Sequence, residues 1–309
     1  MSSNAALPSN SLSRQSPRWG ERLVMAFLTG AALLSVLITV GIVFALLIPA
    51  LSFFREVSVW DFLTGTRWTP RFSGQESYGV LPLITGTAWT TLIALVIAVP
   101  FGLGAAIYLS EYASPRVRKV LKPVLEVLAG IPSVVYGFFA LSFVAPVVLN
   151  GLLHIDVGTF SVLAAGLVLG IMIIPTVASL SEDAMSAVPS SLRQGSLALG
   201  ANRMRTTLRV VFPAAISGIA AAIVLGLSRA IGETMIVALA AGTQARIVGG
   251  PTEFGQTMTG FIAQTATGES TPGTLGYNTL YAVGLLLFIL TLIVNIISIR
   301  LVRRFREAY

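Results

Sequence analysis

The sequence contains no cysteine, so neither a disulfide framework nor a thiolate metal site can form. It contains one histidine, His154, which excludes a zinc site built from several histidines. Charged residues make up only 11% of the 309 residues, whereas a soluble globular chain has about 25%. We therefore expect no metal centre and no cofactor bound by this chain, and the small charged fraction is unlike that of a soluble globular protein.

Long apolar runs make up most of the chain instead. Six of them are separated by polar segments, at residues 23–54, 81–109, 124–149, 161–180, 214–241 and 280–301. A helix needs about 20 apolar residues to cross a bilayer, so the sequence predicts an all-α polytopic membrane protein with six transmembrane helices. The first run is much longer than the roughly 7–15 apolar residues of a signal peptide, and we expect it to be retained. Gly166 and Gly170 predict a GxxxG face for close helix packing.

Basic residues are distributed unevenly between the predicted loops. Fifteen of the 20 lie in the two tails and in the second and fourth loops, four lie in the other loops, and Arg229 lies within the fifth run. The positive-inside rule therefore predicts that both termini are cytosolic. Topology and anionic lipid explain the net charge of +7 better than nucleic acid does.

The same pattern predicts four parts along the chain. Residues 1–20 are a disordered cytosolic tail, 21–80 the first transmembrane helix with an external loop, 81–304 a five-helix core, and 305–309 a second cytosolic tail. We expect Trp60 and Trp68 in the external loop to anchor at the membrane interface or to meet an external binding protein.

The fourth loop, residues 181–213, is unusually polar for this chain. Ser191 and Gln194 have the spacing of a capping box, and Gly200 stands where helices commonly end in a left-handed residue. These signals predict a short helix at 192–199, followed by a second helical stretch at 203–211. Such a short helix is unstable alone in water, so its leucines are expected to dock on a partner. The alternative is an ordinary solvated loop held at the lipid surface by its arginines.

This loop resembles the EAA loop of the binding-protein-dependent ABC importer permeases, which have the type I, MetI-like fold. Gln194, Gly195 and Ser196 stand in the place of Glu-Ala-Ala, and Gly200 and Pro213 match the family's glycine and proline at the right separation. Glutamine replaces the usual acid. The resemblance implies that this coupling helix contacts a separate ATP-binding subunit. The residues that it assigns to this contact are Leu192, Arg193, Gln194, Gly195, Ser196, Leu197, Leu199, Gly200 and Pro213.

No nucleotide-binding P-loop can be found in the sequence. Such a loop needs a lysine directly after a glycine, but the two lysines, Lys119 and Lys122, follow Arg118 and Leu121. The chain is therefore expected not to be an enzyme, and ATP and Mg²⁺ are expected on the partner ATPase.

Four longer stretches resemble the phosphate-specific ABC permeases more closely: residues 98–114, 125–141, 194–206 and 227–242. The segment WDFLTGTRWTP at 60–70 resembles the C-type subunit rather than its A-type partner. The resemblance implies a multi-pass subunit of the bacterial inner membrane. Its implied partners are an A-type permease subunit, two copies of an ATP-binding subunit and an extracytoplasmic phosphate-binding protein.

Arg229 and Glu233 form a charged pair within the fifth run. A spacing of four residues would place them on one face of a continuous helix. Charged residues inside a membrane are costly and usually have a partner. The pair is either a structural lock or an anion station, in which Arg229 exchanges Glu233 for a passing phosphate. Ser228 and Thr234 flank the pair and could donate further hydrogen bonds. The family resemblance implies that an arginine and a glutamate here are important for transport.

Two alternatives to a phosphate importer remain open. The first is the same machinery with another oxyanion, such as molybdate or sulfate. The second is an ion-coupled secondary anion transporter that works alone, which inverted repeats of the spans would favour. No such repeat is evident, and a coupling helix would then have no partner.

Overall fold

The computed structural model describes residues 19–70, 74–268 and 273–304. The expected tails, most of 1–20 and all of 305–309, lie outside the described residues. Within the described part the chain is helical, and its extended backbone pairs only at an isolated antiparallel bridge between Trp68 and Tyr78.

Thirteen α-helices follow one another along the described residues, and three of them continue as π-helical segments. They are α1 (Trp19–Glu56), α2 (Val59–Thr64), α3 (Leu81–Ile107, continuing to Tyr112), α4 (Pro115–Ala129), α5 (Ser133–Phe139, continuing to Leu152), α6 (Val162–Ser186), α7 (Ser190–Ala198), α8 (Arg203–Thr206, continuing to Val211), α9 (Phe212–Ala214), α10 (Ile216–Gly232), α11 (Met235–Ala240), α12 (Met258–Thr267) and α13 (Leu275–Arg304).

Five of these helices are long and apolar enough to cross a membrane. They are Trp19–Glu56, Leu81–Tyr112, Ser133–Leu152, Val162–Ser186 and Leu275–Arg300. A sixth span is possible only as a bent pair, Arg203–Ala214 with Ile216–Gly232, whose axes differ by 71°. The described residues therefore have the predicted all-α, multi-span architecture, with the fifth span broken.

The chain divides into two compact units, Met1–Ile48 and Pro49–Tyr309. The described part of the first unit is a single helix, the larger part of α1. The whole of α1 has 38 residues and is therefore about 57 Å long. It exceeds the hydrocarbon thickness of about 30 Å, so it must tilt or extend beyond the bilayer.

The second unit is organised around close packing of α3 on α6. A Cβ atom added at Gly166 would lie 2.7 Å from Ile93 Cβ, and one at Gly170 would lie 2.8 Å from Ile97 Cβ. Both contacts are shorter than side chains tolerate, so the two helices approach as closely as glycine alone permits. The predicted GxxxG face is confirmed, and its partner is α3.

Trp68 lies in an aromatic cluster at one end of this unit. Its ring makes edge-to-face contacts with Phe62 and Phe261 at centroid distances of 6.1 and 5.0 Å, and Phe53 continues the cluster. Trp68 is 5% exposed. The expectation that it anchors at an interface or meets a binding protein is wrong, because its ring is part of the core. Trp60, in contrast, is 73% exposed.

Two sequence-predicted spans have the wrong limits. The third begins at Ser133, directly after Pro132, rather than at residue 124, because residues 115–129 form the separate amphipathic helix α4. The fifth ends at Gly232 rather than at residue 241. The predicted loop at 242–276 also contains α12.

Candidate functional site

The fifth span is interrupted between Arg229 and Thr234. Helix α10 ends at Gly232, and Glu233 has the extended backbone angles φ −66° and ψ 132°. The Glu233 carboxylate turns forward and accepts hydrogen bonds from the amides of Met235 at 3.0 Å and Ile236 at 3.3 Å. Glu233 therefore caps α11, and the prediction that it shares a helix face with Arg229 is wrong.

Arg229 is bound to a neutral partner. Its Nη1 donates to Thr176 Oγ1 of α6 at 3.0 Å, and the residue is half-buried. Among the described residues it forms no ion pair, so the predicted pairing with Glu233 is also wrong. The physical reason is the break in the helix, which separates the two side chains and gives the carboxylate two backbone amides to accept from.

The hydroxyl groups beside the pair stabilise the break and its surroundings. Thr259 of α12 donates to the Glu233 carbonyl oxygen at 2.6 Å, and Thr234 donates to the Gly232 carbonyl oxygen at 3.3 Å. Ser228 donates to Asn295 Oδ1 of α13 at 3.0 Å. Backbone groups freed within a membrane must find such partners. Ser228 thus joins α10 to α13, and Thr234 binds the backbone at the break.

The short helix predicted at 192–199 is present as α7, Ser190–Ala198. Its N-terminal cap is Pro189 and no side chain caps it, so the predicted capping box of Ser191 and Gln194 is wrong. Gly200 has φ 82°, as the left-handed helix end requires. The second helical stretch is also confirmed. Asn202 caps it by accepting from the Arg205 amide at 2.8 Å.

The leucines of this segment face in different directions. Leu192 packs on the chain's own core beside Val188 and Val211. Leu197 is 50% exposed and Leu199, the residue after α7, is 90% exposed. Of the three leucines expected to dock on a partner, Leu192 therefore packs within this chain instead. Leu197 and Leu199 remain accessible to a partner.

Arg193 attaches α7 to the rest of the second unit. Its guanidinium binds Glu111 Oε1 through Nη2 at 3.0 Å and Nε at 3.2 Å, and it donates to the carbonyl oxygens of Met185 and Val188 at 2.7 and 2.6 Å. This role is not predicted by the sequence, since Arg193 and Glu111 are 82 residues apart. The sequence contains two signals for this contact: Glu111, an acidic residue at the end of a span, and Arg193, an arginine in the fourth loop.

A second ionic cluster fixes α4 to α6. The Glu182 carboxylate is buried and binds Arg118, Lys122 and Ser186, with Lys122 Nζ at 2.8 Å from Oε2. Hydrogen bonds to Asp183 and to Glu182 raise the pKa of Lys122. The sequence predicts a short basic loop for these basic residues and gives no sign of the cluster.

No group of three or more His, Asp or Glu side chains in the described ranges could hold a metal ion. Two regions make up the candidate functional site. One is the break in the fifth span beside Arg229, and the other is α7 with its exposed leucines.

Several helices long enough to cross a membrane, a broken span that carries an arginine, and a short polar helix in a loop are typical of the transmembrane subunit of a transporter. Residues 98–307 match the family described as "Binding-protein-dependent transport system inner membrane component", and the chain belongs to this family. It is therefore a permease subunit of an ABC importer.

The names of similar proteins are consistent with this family. The chain is 39% identical over 282 residues to the "Probable ABC transporter permease protein YqgH" of Bacillus subtilis, covering 90% of both chains. It is 36% identical over 278 residues to the "Phosphate transport system permease protein PstC 1" of Mycobacterium tuberculosis, covering 79% of this chain and 81% of that one. A Haemophilus influenzae protein named PstC is 34% identical over 267 residues, with 80% and 82% covered.

Solved structures support the fold. A bacterial ABC transporter involved in the import of the acidic polysaccharide alginate matches with a TM-score of 0.61 at 16% identity, covering 93% of this chain and 100% of that one. The methionine ABC transporter MetNI, in an inward-facing conformation, matches with a TM-score of 0.53 at 20% identity, covering 74% and 95%. The predicted MetI-like fold is confirmed.

Proposed function

We propose that this chain is the transmembrane subunit of an ATP-driven phosphate importer and forms part of the translocation path. The similar proteins named as phosphate permeases support the choice of substrate. The structural observation that carries the proposal is Arg229, a half-buried arginine beside a broken span whose described partner is a neutral hydroxyl. Broken helices at mid-membrane are typical of substrate sites in transporters.

Arg229 suits a transient phosphate contact. A guanidinium presents a planar fork of N–H donors that matches two phosphate oxygens. Its present bond to Thr176 is a hydrogen bond to a neutral group, worth about 1.5–3 kcal/mol at most. Removing one partner of a buried ion pair costs about 3–5 kcal/mol. Phosphate can therefore displace Thr176 more easily than it could displace a carboxylate, and Thr176 can take back the guanidinium when the anion leaves.

The driving step would occur on partner subunits. Two ATP-binding subunits would hold ATP and Mg²⁺, and one of them would contact α7, with Leu197 and Leu199 as the accessible apolar side chains. An A-type permease subunit would complete the path, and an extracytoplasmic binding protein would deliver phosphate. This arrangement requires that α7 and both termini be cytosolic, as the distribution of basic residues predicts.

Reconstitution tests the proposal. The chain would be purified with its A-type, ATP-binding and binding-protein partners and placed in liposomes, and uptake of labelled phosphate would be measured with and without ATP. We expect uptake only when ATP and all partners are present, and no competition from excess molybdate or sulfate. Uptake by the chain without any ATPase, or preference for another oxyanion, would contradict the proposal.

A further inference from the structure

Helix α7 is short and contributes little to the core. It has nine residues, and none of them is buried. A helix of this length is unstable in water without tertiary contacts. Its position and orientation therefore depend on a small number of contacts with the rest of the chain.

Those contacts lead in two directions. Toward α8, the Ser196 hydroxyl lies 2.9 Å from the Thr206 hydroxyl. Toward the spans, Leu192 packs beside Val188, and Arg193 makes four hydrogen bonds. Arg193 is the only charged side chain of α7, and it provides most of its polar attachment to the spans among the described residues.

Three of the four bonds of Arg193 end on two different spans, and the fourth ends on Val188, just after α6. Glu111 lies in the π-helical continuation of α3, while Met185 lies in the last turn of α6. The side chains of Arg193 and Glu111 are only 22% and 7% exposed, so water competes weakly for the pair. One guanidinium therefore joins α7 to the ends of two spans at once.

These two spans are suited to move as one body. Gly166 and Gly170 of α6 lie in direct contact with Ile93 and Ile97 of α3, without space for even one additional methyl group. If a movement of α7 displaced both spans through Arg193, α3 and α6 would therefore move together and would not slide past each other. The other route, through α8 and α9 into α10, passes a bend of 71°. A bend of this size can change angle and absorb part of a displacement.

We propose that the Arg193–Glu111 ion pair is the link through which a displacement of α7 moves α3 and α6 together. Arg193 is a positioning residue: it keeps α7 in register with these two spans, and it does not contact the transported anion. This inference rests on the proposed function, because it assumes that an ATP-binding subunit displaces α7. It adds the connection by which that displacement reaches the translocation path.

The test uses the complete complex in liposomes and measures phosphate uptake and ATP hydrolysis in the same sample. The variants are Arg193→Gln, Glu111→Gln and the double variant. We expect the phosphate transported per ATP hydrolysed to fall about tenfold in each single variant, which is within the usual range of coupling between sites. ATP hydrolysis should persist. The double variant should be no worse than either single variant, because both substitutions break the same link.

Arg246→Gln is the matched control. It breaks another arginine–glutamate pair, with Glu253, in which Arg246 is 45% exposed and lies far along the chain from α7. The control should keep the wild-type ratio of phosphate to ATP. Failure of the wild-type complex to import phosphate would refute the proposed function rather than the link.

Three results would overturn the link itself while the wild-type complex remains active. The first is an unchanged ratio of phosphate to ATP in Arg193→Gln. The second is a double variant whose loss equals the product of the two single losses, because the residues would then act independently. The third is loss of the ATP-binding subunits from both single variants on purification, which would assign the pair to assembly.

Discussion

Arg229 and Glu233 are four residues apart, but the helix that carries Arg229 ends at Gly232, and their side chains point to different partners. The guanidinium donates to Thr176 of α6, while the carboxylate accepts from the amides at the start of α11. The arginine is thus left with a partner that an anion can replace. The Glu233 carboxylate instead stabilises the start of α11. These different roles of Arg229 and Glu233 can be tested by substitution.

Glu233→Gln should keep most of the stability of the complex, whereas Glu233→Ala should reduce it. Glutamine retains an oxygen that can accept from Met235 and Ile236, but alanine leaves these amides without that acceptor. Loss of a helix cap costs about 0.5–2 kcal/mol. The measurement is the thermal unfolding of the detergent-solubilised complex. Equal losses in both variants would indicate that the negative charge of Glu233, rather than its capping oxygen, is what matters.

Glu182→Gln should loosen α4 from α6. The buried carboxylate binds Arg118 and Lys122, and each hydrogen bond to a charged group contributes about 1.5–3 kcal/mol. Asp183→Asn is the matched control, because the Asp183 side chain is 57% exposed and also bonds Lys122. An exposed ion pair contributes at most about 1 kcal/mol. A lower unfolding temperature for Glu182→Gln than for Asp183→Asn is expected, and the reverse order would contradict the assignment.

Gly170→Ala should destabilise the contact between α3 and α6. The new Cβ would lie 2.8 Å from Ile97 Cβ and 2.9 Å from the Ala94 carbonyl oxygen, and overpacking of this kind costs about 1–3 kcal/mol. Gly104→Ala in α3 provides the control, since its Cβ would have no atom within 4 Å. Thermal unfolding should rank Gly170→Ala below Gly104→Ala. Equal unfolding temperatures for the two variants would show that α3 and α6 are not packed so closely that only glycine fits between them.

The sequence was most informative where a local property determines the structure. The length of the apolar runs predicted the spans, because bilayer thickness fixes the length of a crossing helix. Gly200 predicted the end of α7, since a left-handed residue is favoured by glycine at that point. The match of residues 98–307 to the permease family agrees with the resemblance noted from the coupling loop.

The sequence was misleading where a distant contact decides the structure. Residues 115–129 merge into the next apolar run, and the separate helix α4 is held in place by the binding of Lys122 to Glu182, 60 residues away. The break at Glu233 lies inside a run that the sequence predicts as one span, and it is stabilised by Thr259, 26 residues further on. The link from Arg193 to Glu111 likewise depends on two helices meeting in space.

The most direct measurement is ATP-driven phosphate uptake by the complete complex carrying Arg229→Gln, compared with Thr176→Val. We expect Arg229→Gln to abolish uptake while the complex stays assembled, because glutamine lacks the charged fork that binds phosphate oxygens. Thr176→Val should keep uptake within about tenfold of wild type, since it removes one hydrogen bond of a replaceable partner. Wild-type uptake by Arg229→Gln would contradict the role of Arg229 as the phosphate contact, and loss of assembly would show that Arg229 is a structural lock.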